Sequence, residues 1–386
     1  MKARAQDRLL YVGFYDSSIH ADEQRMFWLS AASKMDYVAN SVRARGTQVR
    51  IVSPAWTTAQ QGFPGRRTTL RDGVELELFR TFPWGNRVQR AVSLVASRVL
   101  LFLYLVVHTR RHQNVLVYHS LSLMRAVRWA RKVRGFRLVL ELEEIYQDVV
   151  EVSARTARAE HRIIDEADAF VFSTGLLSDR VGADARPRVV IHGNYDVAED
   201  RGLSFDDGRV HVVYAGRIDA EKGAFTAVSA AGHLGDQYHV HVAGFGEPAD
   251  IARLQKSIAQ VGSTTSARVT YDGVLAGDEF TDLLQKCSVG LCTQSPDAAF
   301  NDTSFPSKVL AYMTNGLTVV SVRMRSLEES ALAPEIVFYD GADPLDAAAA
   351  IREASGRPTD RSRDRVQALD RICIQELGEL LDESAG

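Results

Sequence analysis

A chain of 386 residues, 46% hydrophobic and 25% charged, exceeds one comfortable core and has the ordinary balance of a soluble globular protein, so two domains are expected. Three cysteines, Cys287, Cys292 and Cys373, without CxxC spacing or a histidine cluster beside them, exclude a disulfide framework and a cysteine zinc site and fit a reducing compartment. The net charge of −3 hides an asymmetry: residues 1–190 hold 29 Lys and Arg against 19 Asp and Glu, a charge of +10, and the remainder carries −13.

The first apolar run, LLYVGFY (residues 9–15), reads as a strand rather than a signal peptide, which places the chain in the cytoplasm. Residues 22–46 read as a helix ending at Gly46, and VRIVSPAW as a second strand. The alternation continues through VELELFR, helical 88–108, VLVYHS, helical 121–134, RLVLELEE, helical 153–166, AFVFST and VVIHGN. Such a series predicts a doubly wound, mostly parallel α/β sheet.

Between Glu77 and Glu141 there is no acidic residue, while twelve Lys and Arg fall inside, so this half expects an anionic neighbour. The same region holds the most apolar stretch, AVSLVASRVLLFLYLVVH (residues 91–108), interrupted by Arg98 and flanked by Arg87, Arg90, Arg110 and Arg111. It reads as a buried core helix, as a helix lying in a membrane interface, or, being short of the roughly 20 residues a span needs, less well as a transmembrane helix.

A polar, acidic stretch after Asn194 reads as a linker, and the alternation then restarts with VHVVYAG, YHVHVAGFG, RVTYDGV, VGLCTQS, LTVVSV and EIVFYD. The pivotal stretch is VHVVYAGRIDAEKG (residues 210–223), a strand running into a loop that carries Gly216, Arg217, Lys222 and Gly223 ahead of a helix. A strand-to-helix turn presents backbone N–H groups and a positive dipole end beyond the strand's carboxyl end. A guanidinium and an ammonium five residues apart then suit a diphosphate. As ordinary solvated charges they would be misplaced at a helix end that is already positive.

With these residues in place, the second half resembles the retaining nucleotide-sugar glycosyltransferases of the GT-B fold, family 4 or "group 1". Four segments carry the likeness over residues 210–341: VVYAGRIDAEKG, HVAGFGEPADIARLQKSI, RVTYDGVLAGDEFTDLLQKCSVGLCTQS and NDTSFPSKVLAYMTNGLTVVS. The resemblance implies two Rossmann-like domains facing a cleft: an acceptor-side domain over 1–195, a hinge over 196–208, a nucleotide-sugar domain over 209–360 and a C-terminal helix over 361–386 that packs back towards the first domain. It implies that Arg217 and Lys222 face the donor diphosphate and that Gly244 and Gly246 let backbone approach the donor. It further implies that Asp302, Thr303, Ser304, Phe305, Pro306, Ser307, Lys308 and Val309 form the loop and helix start over its sugar and phosphates. The amides of Ser307 to Val309 add donors, and Lys308 a third cation. In the first half the likeness is looser: VLVYHSL resembles the strand and loop carrying the family's acceptor-side histidine, here His119, and VVIHGNYD its hinge, with Asn194.

The sequence departs from the family pattern in two places. Relative to the family's two Glu, eight positions apart, this sequence has Thr303 and Ala311; Asp302 is adjacent to the first and can stand in for it, but Ala311 has no side-chain hydrogen-bonding capacity, so the ribose contact is absent or supplied elsewhere. The glycine pair that often follows the first strand is reduced to Gly13.

RLVLELEEIYQD imitates the acidic triplet by which GT-A enzymes hold a metal, but a cationic loop makes a metal redundant. Strand alternation puts Glu141 and Glu143 on one face and Glu144 on the other, leaving Glu143 or Glu144 for an acceptor and Glu141 for an arginine partner. The expectation is therefore a retaining, metal-independent and cofactor-free transfer from a nucleotide sugar, UDP favoured over GDP, to a saccharide or lipid-linked acceptor. The basic half contacts anionic membrane, and nothing points to nucleic acid. The competing readings are an epimerase or hydrolase on the same fold and a non-catalytic nucleotide-sugar binder.

Overall fold

Most strands form from short runs rich in Val, Leu, Ile and Tyr between turn residues. The computed structural model describes residues 8–17, 22–149, 151–183, 185–295, 301, 304–358 and 360–382. The chain divides into two compact units, Met1–Asn194 with Arg371–Gly386, and Tyr195–Asp370.

Among the described residues, unit 1 holds β1 (Leu9–Val12), β2 (Val49–Ser53), β3 (Arg66–Arg71), β4 (Val74–Leu78), β5 (Asn114–Tyr118), β6 (Arg137–Leu142), β7 (Ala169–Phe172) and β8 (Arg188–Val190). Their order is β3-β4-β2-β1-β5-β6-β7-β8, parallel except where β3 meets β4. The winding reverses between β1 and β5, so a ligand site is expected beyond the carboxyl ends of these two strands. One sheet face, with Leu10, Val12, Val115, Val117, Leu138 and Leu140, packs on Leu101 and Leu105 of the helix Arg87–His108.

Two features differ from the sequence expectation. RRTTLR is too charged to read as a strand, yet it pairs antiparallel with β4 through a turn at Asp72 and Gly73, and Arg67 meets Glu77 at 2.7 Å. A charged strand is tolerated at a sheet edge, where it also discourages pairing with other chains. The helix expected from residue 22 starts at Leu29. Arg25 is buried, pairing with Glu23 at 2.6 Å, donating to the Phe79 carbonyl at 2.7 Å and bridging Thr57 antiparallel, so the helix starts only after it.

Among the described residues, unit 2 holds β9 (Val210–Ala215), β10 (Tyr238–Ala243), β11 (Arg268–Gly273), β12 (Val289–Cys292), β13 (Thr318–Val322) and β14 (Ile336–Tyr339), in the order β11-β10-β9-β12-β13-β14. All its pairs are parallel, and here the winding reverses between β9 and β12. The last helix, Asp360–Asp382, starts in unit 2 and belongs to unit 1 from Arg371 onward. There Arg137 donates to the Leu380 carbonyl at 2.8 Å and Asn114 to that of Leu381 at 2.6 Å. The three cysteines are buried thiols that form no disulfide.

Candidate active site

The β9 strand delivers residues 216–223 to the reversal point of unit 2. Tyr214, buried in the strand, points its hydroxyl back under the loop, 2.8 Å from the carbonyl oxygens of both Arg217 and Lys222. Burial pushes this phenol far above its ordinary value, so it stays a donor. Asp219 accepts from the amides of Glu221 at 3.0 Å and Lys222 at 2.7 Å. The loop is therefore fixed by its own hydrogen bonds.

Neighbouring turns close on it. A Cβ at Gly244 would lie 1.7 Å from the Gly216 carbonyl oxygen, and one at Gly223 would lie 2.2 Å from the Thr293 carbonyl. Both glycines also have positive φ, +146° and +96°, so neither position accepts a side chain. Gly246 packs against the Ile218 carbonyl in the same way, at 2.4 Å. The ends of β9, β10 and β12 thus meet in direct backbone contact.

Onto this frame the chain sets its cations. Arg217 is exposed, with Nε 3.2 Å from Asp219. Lys222 is half-buried. Lys308, from the start of the helix Ser307–Thr314, donates to the Lys222 carbonyl at 3.1 Å and lies 4.2 Å from the centre of the Tyr214 ring. Its Nζ is 3.6 Å from the position a Cβ on Gly216 would take. Burial, reinforced by the charge of Lys222, pushes the Lys308 ammonium down to about 8, against the opposing pull of Cys292 and Asp219. It remains largely protonated at neutral pH.

The helix start supplies less than expected. Pro306 stands at its N-cap, but the Val309 amide donates to the Pro306 carbonyl at 3.0 Å and is spent within the first turn. Loop, cations and the two helix starts at Ala224 and Ser307 together favour an anion.

The reversal point of unit 1 has the opposite character. Gly13, after β1, sits where a Cβ would meet Met35 at 2.7 Å and Tyr118 at 3.1 Å. His119, after β5, is 2% exposed and lies 3.5 Å from Glu160 through Nε2, while neither ring nitrogen has a hydrogen bond among the described residues. Burial pushes it down to about 4, against the nearby Glu144 carbonyl, so the ring is neutral and enclosed. Glu141 is fully buried and meets Tyr11 and Lys34 rather than an arginine. Burial lifts its carboxyl to about 7. Lys34 also pairs with Glu143, which agrees with one strand face for Glu141 and Glu143; Glu144 is half-buried.

Residues 209–355 match the family model of the glycosyl transferases, group 1. The match covers 147 of the 386 residues, from just before β9 to the helix after β14. No curated protein matches the chain. Among solved structures the chain is similar to Anabaena HepE in complex with UDP, at 12% identity and a TM-score of 0.65 over 98% of this chain and 99% of that one. It is similar to a glycosyltransferase from Rickettsia africae, at 11% identity and 0.65 over 99% of each chain. It is also similar to a UDP-forming α,α-trehalose-phosphate synthase from Burkholderia xenovorans in complex with glucose 6-phosphate, at 12% identity and 0.63 over 98% and 100%. The fold is GT-B.

Within the matched residues, Asp302 and Thr303 lie outside the described ones; Ser304 and Pro306 are half-buried, Phe305 is buried and Ser307 is exposed. Ala311 is half-buried, its carbonyl taking the Asn315 side-chain amide at 2.9 Å. Sequence reasoning missed the residues that hold the loop, Tyr214, Asp219 and Tyr312, the last of which accepts the Ala215 amide at 2.7 Å. Only the spacing of Asp219 ahead of two loop amides signalled any of them.

Proposed function

We propose that the chain transfers a sugar, with retention and without a metal, from a nucleoside-diphosphate sugar to a saccharide or lipid-linked acceptor in envelope or polysaccharide assembly. The carrying observation is the β9 loop, a self-bonded turn at the reversal point of a parallel sheet that carries Arg217 and Lys222 and whose Lys222 carbonyl accepts from Lys308. UDP is favoured over GDP because the structurally similar HepE is in complex with UDP and the similar trehalose-phosphate synthase is UDP-forming.

The leaving diphosphate gains charge as the glycosidic bond breaks, so preorganised cations lower the barrier more than they tighten the ground state. Arg217 supplies a planar fork for two phosphate oxygens, and Lys222 and Lys308 supply point charges. Retention needs no protein nucleophile when the departing phosphate assists attack from its own face. His119, neutral and enclosed, contacts sugar or acceptor only as an uncharged ring, and Glu143 or Glu144 meets the acceptor.

The acceptor side is an anionic membrane surface. Only 22% of the most apolar stretch of the helix Arg87–His108 is buried. It exposes Val88, Val92, Val95, Val99, Leu103 and Val107 along one stripe, beside Trp129 and Val133 of the adjoining helix. Arg87, Arg90, Arg98, Arg110, Arg111, Arg125 and Lys132 are exposed around it. The inward side, with Leu101 and Leu105 fully buried, favours a helix lying in the interface over one that spans.

Incubation with a panel of nucleotide sugars, read by mass spectrometry for released UDP or GDP, tests the reading. Release that requires acceptor supports transfer, release without acceptor indicates a hydrolase, conversion of the sugar without release an epimerase, and binding without turnover a non-catalytic protein. Sedimentation with phosphatidylglycerol vesicles tests the membrane contact: binding at low salt that weakens as salt rises is expected, and none at low salt rejects it.

A further inference from the structure

Unit 2 carries a second cluster of chemistry at the other end of its sheet. His211 is the second residue of β9, and His239 and His241 are the second and fourth of β10, with His211 directly opposite His239 in register. All three are buried, and their ligating nitrogens lie within 4.8 Å of one another. The donor loop follows the carboxyl ends of the same strands, so the two sites are separate.

The outer nitrogens are already oriented. His211 Nε2 is 2.8 Å from Asp207, His241 Nδ1 is 2.9 Å from Asp272, and His239 Nε2 is 3.0 Å from the Thr270 hydroxyl. A carboxylate only accepts, so His211 and His241 carry their protons on those outer nitrogens. Their inner nitrogens, His211 Nδ1 and His241 Nε2, then face each other with lone pairs 2.9 Å apart. Two acceptors at that distance need a positive centre between them, and an extra proton or a metal ion supplies it.

We propose that His211, His239 and His241 bind one divalent transition-metal ion of the zinc class. Carboxylate-oriented imidazoles are the arrangement that fixes the tautomer of metal-bound histidines, and Asp207 and Asp272 balance the ion's two charges. A ligand set of imidazoles selects zinc, copper, nickel or cobalt over magnesium or calcium. With nitrogen to metal distances of about 2.0–2.1 Å, tetrahedral ligands stand about 3.4 Å apart, so the His211 and His241 pair needs little movement and His239 turns inward. Phe205 stacks on His211 with ring centres 3.9 Å apart, so the ion also pins the segment leading into β9. Its role is to fasten that segment, not to join the sugar transfer.

The test uses the full chain without an affinity tag, treated with chelator and then titrated with zinc by calorimetry. One equivalent is expected to bind and to raise the melting temperature, with a loss of affinity of tenfold or more in His241→Gln and His239→Gln. Folding of each variant is checked by circular dichroism without metal. Should the variants not fold, X-ray absorption of the zinc-loaded wild-type chain decides, three imidazole nitrogens being the expected shell. Absence of stoichiometric binding, unchanged affinity in folded variants, or a shell without imidazole overturns the proposal and leaves a proton as the centre between the two rings.

Discussion

The two sheets share a winding order, yet the strand ends at their reversal points hold opposite chemistry. In unit 2 the end of β9 gathers Arg217, Lys222 and Lys308 around a loop whose carbonyls and carboxylate are tied inward. In unit 1 the ends of β1, β5 and β6 gather Glu141, Glu143 and a neutral His119, with Lys34 as the buried counter-charge. The fold fixes where a ligand sits, and the side chains decide its charge. Under the proposed function a diphosphate goes to the first place and hydroxyl groups to the second.

The comparison breaks first at the backbone. Gly244→Ala sets a methyl against the Gly216 carbonyl at a positive φ, and we expect a loss of about 3 kcal/mol or more in chemical denaturation together with loss of donor binding. Lys34→Met strips Glu141 and Glu143 of their cation. A cost of about 3 kcal/mol is expected, shrinking as the pH falls because Glu141, already lifted to about 7, takes up a proton. Donor affinity should change little, which separates the two ends.

Arg217→Ala acts in the reverse sense. The side chain is 58% exposed and paired only with Asp219 among the described ion pairs, so the melting curve should hardly move. Sugar transfer should fall by about 2–4 kcal/mol of barrier, which steady-state kinetics reads as roughly 30-fold to 1000-fold.

A gentler probe is pH. Because burial depresses Lys308 to about 8, it carries its charge below that value and loses it above. Affinity for a nucleoside diphosphate should therefore be highest below pH 8 and decline as the pH rises through it, and Lys308→Met should flatten that limb in a titration series. His119→Gln should leave the profile between pH 6 and 8 unchanged, since a ring held at about 4 does not titrate there.

Much of this was legible in the sequence. The βα alternation pointed to both sheets, and glycines at 216, 223 and 244 with cations at 217, 222 and 308 marked the tight loop after β9. The charged strand β3 was not legible, because an edge strand has no buried face to impose alternation. Nor was the late start of the first helix, which depends on Arg25 reaching Phe79, a contact 54 residues away. The enclosure of His119 likewise depends on Tyr146 and Glu160 from later elements. The histidine cluster was written in the alternation of YHVHVA, but its partner His211 sits on another strand and only sheet register brings them together.

Calorimetry of UDP and of uridine against the wild-type chain and Arg217→Ala reads out whether the β9 loop holds a diphosphate. One UDP per chain is expected, at least tenfold weaker in the variant, with uridine binding weak and indifferent to Arg217. Equal binding of UDP and uridine, unchanged by the loss of Arg217, would contradict it.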